Sequence, residues 1–250
     1  MLRRGVVDPD MEAWILNGFA HLHARLGADL PLAGKAPVLP AEGYFVIEGE
    51  GEARGAAIFR QVAVYAGMEG WPVRVEAVQP TRAYRAGTAV FVQPDDDGPA
   101  GTFEVRNDEI VITYDSALLA DPMSLVAVFA HELTHFLLFD RQAYDDLELE
   151  EAEMLTDLGA VYLGFGVFLA NAAFEHSGFS SGMEIGWSLN RQGYLSENSL
   201  LFALAVYLRL VGSAESAIAD TGSCIKPRLQ RTFDRAVKQA ARADLTGIGA

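Results

Sequence analysis

The sequence predicts an α+β fold: a small antiparallel or mixed sheet packed on a helical half. Three observations predict it. Period-two alternation of apolar and polar residues is confined to the stretch between positions 72 and 114. From Asp121 onward, apolar residues recur at helical spacing nearly to the C-terminus. Strands gathered ahead of helices, instead of alternating with them, favour α+β over a parallel α/β sheet.

Each element has its own signal. Over 8–27, the residues Met11, Trp14, Ile15, Gly18, Phe19, Leu22 and Leu26 form the apolar side of an amphipathic helix. Pro31, Pro37 and Pro40 mark a connector. A second helix fits Ala53 to Ala66, with Ala57, Ile58, Val62 and Tyr65 on one side. Strands are expected at 72–78 and 88–93, followed by a loop holding Asp95-Asp96-Asp97-Gly98-Pro99. Two more, 102–106 and 109–114, flank Asn107-Asp108, a pair suited to a tight hairpin turn. Helices are expected at 122–139, 147–175, 197–212 and 226–242. Asp121-Pro122 supplies the first of these with an N-cap acceptor and a proline at N1. A division is expected near residue 40, with 1–40 as N-terminal helix and connector and 41–250 as the main domain.

Composition excludes several function classes. Half of the 250 residues are apolar, enough for a real core, and the net charge is −15. Nucleic acid is not an expected partner, because neutralising phosphates takes a basic face. The single cysteine, Cys224, can form no intramolecular disulfide and reads as a plain thiol before it reads as a nucleophile. Met1-Leu2-Arg3-Arg4 suits a signal peptide, but Asp8, Asp10, Glu12, His21, His23 and Arg25 deny it an apolar run downstream. No export signal is read, and the expected location is cytoplasmic. Leu158 to Phe174 is apolar and uncharged but falls short of the roughly 20 residues of a bilayer span, so a buried core helix is expected and a membrane is not. Lys226, Arg228, Arg231, Arg235, Lys238 and Arg242 line one side of the last helix, expected to face water or the acidic loop around 140–151.

The chemistry is concentrated in His131-Glu132-Leu133-Thr134-His135, an H-E-x-x-H pattern inside the apolar run Leu125 to Phe139. Residues four apart on a helix stand one turn above each other, so His131 and His135 can present two imidazoles to one Zn²⁺ ion. Glu132 lies about 100° round the helix. It borders the site without ligating and is placed to take a proton from water activated by the metal. A catalytic zinc takes a third protein ligand. The acidic stretch Asp140 to Asp157 holds the candidates, most of them ordinary solvated carboxylates. Glu153 and Asp157 stand out, spaced one helical turn apart just before an apolar run, as a ligand and a carboxylate bonded to a ligand imidazole. Asp146 and Glu150 share that spacing nearer the loop.

H-E-x-x-H followed by Glu153-Met154-Leu155-Thr156-Asp157 resembles the gluzincin group of zinc metallopeptidases, to which thermolysin belongs. The likeness covers roughly 109–175, and Glu153 follows His135 by 18 positions, slightly short of the usual spacing. The resemblance implies that Glu153 is the third zinc ligand and that Asp157 orients a ligand histidine. It implies a zincin-like arrangement for 41–250, with helix and strands over 41–115, active-site helices over 121–175 and a helical part over 176–250. It also implies that strand Glu109 to Asp115 is an edge strand on which an extended peptide or protein substrate aligns. Such enzymes often add a Tyr, His or Arg to the oxyanion site. Tyr194 is the leading candidate, with His176 and Arg191 behind it. The expected activity is zinc-dependent peptide hydrolysis. The alternatives are a zinc-binding regulatory or scaffold protein without turnover, and a structural helix with a coincidental motif.

Overall fold

The computed structural model describes residues 5–41, 44–45, 47–79, 101–107, 109–144, 147–173 and 195–248. Within them, the first helix, α1 (Pro9–Leu26), is capped by Asp8, whose carboxylate accepts from the Met11 amide at 2.9 Å. Its buried residues Ile15, Phe19, Leu22 and Leu26 follow the predicted stripe. α2 (Gly51–Ala66) buries Ile58, Phe59, Val62, Ala63 and Ala66.

The sheet has three described strands, β1 (Val73–Val78), β2 (Gly101–Arg106) and β3 (Glu109–Asp115), in the order β1-β3-β2. β1 runs parallel to β3, with Val75 opposite Ile112, and β2 runs antiparallel to it, with Phe103 opposite Ile112. Asn107 has φ 50°, the left-handed backbone a two-residue hairpin needs. β3 is therefore the central strand and not the edge strand the resemblance implied. Its four consecutive buried residues, Val111 to Tyr114, agree with a strand covered on both faces. Among the described residues the outer strand beside the motif helix is β2. The strand expected at 88–93 lies outside the described residues.

A short 3₁₀ turn (Ser116–Ala120) leads from β3 to α3 (Pro122–Asp140). Asp121 caps α3 as its sequence predicts, accepting from the Met123 amide at 3.2 Å and the Ser124 hydroxyl at 2.6 Å. α3 is the one described helix long and apolar enough to cross a membrane, but 78% of its apolar window is buried inside the protein.

The single helix expected at 147–175 is two helices, α4 (Leu149–Tyr162) and α5 (Gly166–Ala172). Gly164 breaks it with φ 103°, a conformation costly for any residue with a Cβ. The Phe165 amide then closes the turn on the Ala160 carbonyl at 3.0 Å. Leu158 to Ala170 are buried throughout, as a core segment should be.

α4 crosses α3 closely where Gly159 meets Thr134. A Cβ on Gly159 would lie 2.6 Å from Thr134 Cγ2. Thr134 cannot swing aside easily, being fully buried with its hydroxyl bonded to the Ala130 carbonyl at 2.7 Å. Gly→Ala inside a helix normally gains up to about 1 kcal/mol. Here the overlap should reverse the sign, so Gly159→Ala is expected to destabilise by about 1–3 kcal/mol in urea unfolding.

α6 (Glu197–Leu210), α7 (Glu215–Ser223) and α8 (Pro227–Ala240) are the last helices among the described residues. α7 is not predicted by the sequence: only its Thr221 is buried, so it carries no apolar stripe to read. α8 buries Leu229, Phe233, Ala236 and Ala240. Its Arg228 pairs with Glu197 of α6 at 3.0 Å. Arg209 of α6 donates to the carbonyls of Ala240 and Ala243 at the C-terminal end of α8, where positive charge is favourable.

Candidate metal centre

α3 carries His131, Glu132 and His135, and α4 carries Glu153 and Asp157. Each helix stacks its own pair one turn apart, and the close crossing at Gly159 turns the two pairs toward each other. Three donor atoms converge. His131 Nε2 is 3.0 Å from His135 Nε2, and Glu153 Oε2 is 3.2 Å from the former and 3.4 Å from the latter. A triangle with those sides has a circumradius of about 1.9 Å. An ion slightly off its plane then lies roughly 2.0–2.2 Å from all three atoms, within the range of zinc–nitrogen and zinc–carboxylate bonds. These three side chains are the group among the described residues able to hold a metal ion.

The outer nitrogens are also engaged. His131 Nδ1 lies 3.0 Å from Asp157 Oδ1, and the other Asp157 oxygen accepts the Leu195 amide at 2.9 Å. An ionised carboxylate only accepts, so neutral His131 keeps its hydrogen on Nδ1 and turns a bare Nε2 inward. His135 Nδ1 lies 2.8 Å from the Tyr144 hydroxyl, which lies 2.8 Å from Thr156 Oγ1. Sequence reasoning missed Tyr144 and Thr156. Thr156 sits inside the E-x-x-x-D segment and could have been weighed there. Tyr144 has no local signal, because its place depends on how the loop after α3 folds back.

The electrostatics follow from convergence. Bare nitrogens and a carboxylate oxygen at these distances repel unless a cation lies between them. Burial works against charge on His131, but hydrogen bonds to Asp157 and Glu153, with the charges of Asp157 and Glu132, outweigh it. The imidazole is held well above its usual pKa. Burial likewise opposes ionisation of Glu153, yet its bonds to His131 and His135 hold the carboxyl well below the usual carboxylate range.

Without metal, then, His131 keeps a proton. A folded-state pKa above the unfolded 6.5 contributes stability that is present below pH 6.5 and lost as pH rises through the folded value. The melting temperature of chelated protein should therefore fall with rising pH above 6.5. Excess metal should remove that slope, because the ion takes the place of the proton. Thermal unfolding with chelator and with metal, across a pH series, checks both.

Glu132 is 7% exposed, and no hydrogen bond to its carboxylate is made among the described residues. It faces β2, where a Cβ on Gly101 would lie 3.1 Å from Glu132 Oε1. Burial pushes its carboxyl above the usual range, with His131 and His135 pulling the other way. Glu150 and Glu151 are exposed on the first turn of α4, away from the donor triangle. Asp145, Asp146, His176, Arg191 and Tyr194, the candidate oxyanion donor, lie outside the described residues. Comparison with protein-family models, with curated proteins and with solved structures finds no match to this chain.

Proposed function

We propose that the protein is a zinc-dependent metallopeptidase, with His131, His135 and Glu153 as ligands, Asp157 behind His131, and Glu132 as the general base. The observation that carries this reading is the pairing of the donor triangle with a buried carboxylate, given no hydrogen bond among the described residues, on the next residue of the same helix. A site that only stored or sensed metal would have no use for Glu132. Burying a carboxylate without a donor costs free energy, so its retention beside two ligands argues for a proton-transfer task. The mixed sheet packed on α3, with α4 against the same helix, is compatible with a zincin-like arrangement. An extended substrate aligned beside Glu132 would lie along β2 and not β3.

His131, His135 and Glu153 would hold the zinc, which would supply Lewis acidity and lower the pKa of water toward neutrality. The Glu132 carboxylate takes the proton from the attacking water and later delivers it to the leaving amine nitrogen. Its raised pKa suits both halves of that exchange, since a base that binds its proton too weakly could not hold it for the second transfer. Asp157 Oδ1 fixes the His131 ring through Nδ1, so the inner nitrogen keeps its aim.

Two measurements test the reading. Metal analysis of purified protein should return one zinc per chain, and a coincidental motif would return none. An unbiased peptide library should be cleaved in a chelator-sensitive way. Stoichiometric zinc without cleavage of any library member would sink the peptidase reading and leave a zinc-binding regulatory or scaffold protein.

A further inference from the structure

We propose that Tyr144 and Thr156 are positioning residues that hold His135 in the one tautomer able to bind a metal through Nε2. The inference rests on the metal-ligand part of the reading above and is independent of hydrolysis.

A chain of hydrogen bonds fixes the tautomer because its last member can only accept. Thr156 Oγ1 lies 2.8 Å from the Ala152 carbonyl oxygen. Two oxygens that close need a hydrogen between them, and a carbonyl has none, so the single threonine hydroxyl hydrogen points at Ala152. The Tyr144 hydroxyl lies 2.8 Å from Thr156 Oγ1. With the threonine hydrogen already placed, the phenol must be the donor. Tyr144 oxygen is in turn 2.8 Å from His135 Nδ1, and having given its only hydrogen it can only accept. The imidazole must therefore carry its hydrogen on Nδ1. A neutral imidazole has one N–H, which leaves Nε2 bare, and Nε2 is the atom facing His131 Nε2 and Glu153 Oε2. The opposite tautomer would put a hydrogen into the donor triangle and leave Thr156 and Ala152 oxygen to oxygen. Asp157 sets neutral His131 the same way, so both neutral rings turn a bare Nε2 to the site.

The fold holds this chain in place. Thr156 is fully buried on α4, three residues after Glu153, so ligand and positioning hydroxyl arrive on one turn. Tyr144 is carried by the loop after α3. Its neighbour Ala143 is pinned there, with its amide on the Leu138 carbonyl at 2.8 Å and its own carbonyl 2.7 Å from His21 Nε2 of α1. Thr156 Oγ1 also lies 3.3 Å from His135 Nδ1, which makes it a second acceptor if the phenol is lost.

The test uses the whole 250-residue chain in four forms: Tyr144→Phe, Thr156→Val, both together, and Thr156→Ser. Zinc affinity is read by chelator competition, and thermal unfolding of each metal-free form reports folding. The double variant should lose roughly 10–100-fold in affinity, the range of changes behind a metal ligand. Tyr144→Phe alone should lose less, since Thr156 can accept in its place. Thr156→Ser keeps the hydroxyl and should bind within about twofold of wild type, on the same reasoning. A double variant with wild-type affinity overturns the proposal, as does a Thr156→Ser variant as weak as Thr156→Val. Nitrogen-15 imidazole shifts of metal-free wild type at alkaline pH give an answer that needs no variant. Hydrogen on His135 Nδ1 is the expected result, and hydrogen on Nε2 overturns the assignment. Wild-type protein that holds no zinc overturns the ligand reading itself, a different outcome from zinc bound regardless of Tyr144 and Thr156.

Discussion

Glu132→Gln should leave zinc bound and reduce turnover by at least roughly a hundredfold, the lower end of what a positioned acid–base group contributes. The amide is nearly isosteric with the carboxylate, so the close approach of β2 at Gly101 survives. What disappears is the ability to take and return a proton. Stability should hold or rise slightly, because a neutral amide is less costly to bury than a carboxylate. Zinc content should stay at one per chain, since the donor triangle excludes this residue. The informative result is therefore the combination: full metal, intact fold, lost cleavage. Near-wild-type cleavage by Glu132→Gln protein would remove Glu132 from the mechanism whatever its zinc content.

Glu153→Ala should have the largest effect on metal. It deletes one of the three proposed ligand atoms and leaves His131 Nε2 and His135 Nε2 facing each other at 3.0 Å without the Glu153 carboxylate to balance a cation. Zinc affinity should fall well beyond the roughly 10–100-fold of changes behind the ligands. Glu150→Ala and Glu151→Ala are the controls. Both carboxylates are exposed, and Glu151 makes only a 3.4 Å bond to the Trp14 indole. Asp157→Asn should fall between. Its amide can accept from His131 Nδ1 or from the Leu195 amide but not from both, so one buried donor goes unpaired. That should cost about 1–3 kcal/mol of stability and the roughly 10–100-fold affinity loss of an outer-layer change. Equilibrium dialysis against a graded chelator reads all four. Glu153→Ala protein that keeps one zinc where wild type keeps one would show that a different carboxylate is the ligand.

Local chemistry makes much of this legible in the residues themselves. The four-residue spacings of His131 with His135 and of Glu153 with Asp157 place each pair on one helical face whatever the rest of the chain does. The cap at Asp121-Pro122 and the stripe from Ile15 to Leu26 are readable for the same reason, since all their partners lie within a few turns. The break at Gly164 is not. A glycine inside an apolar run is compatible with a continuous helix, and only the turn closed by Phe165 on Ala160 selects the left-handed backbone.

The five residues His131, Glu132, His135, Glu153 and Asp157, and the helical faces that carry them, come from the order of residues alone, because helix periodicity depends on near neighbours. Whatever depends on distant segments meeting is settled by packing. The Gly159–Thr134 crossing brings the two helical pairs into one triangle. Parallel pairing of β1 makes β3 central and leaves β2 beside Glu132. The loop after α3 returns Tyr144 to His135, and the Leu195 amide reaches Asp157 from 38 positions away. Spacing along a chain records none of these meetings. They arise from which buried surfaces pack together and from the need of each buried polar atom for a partner.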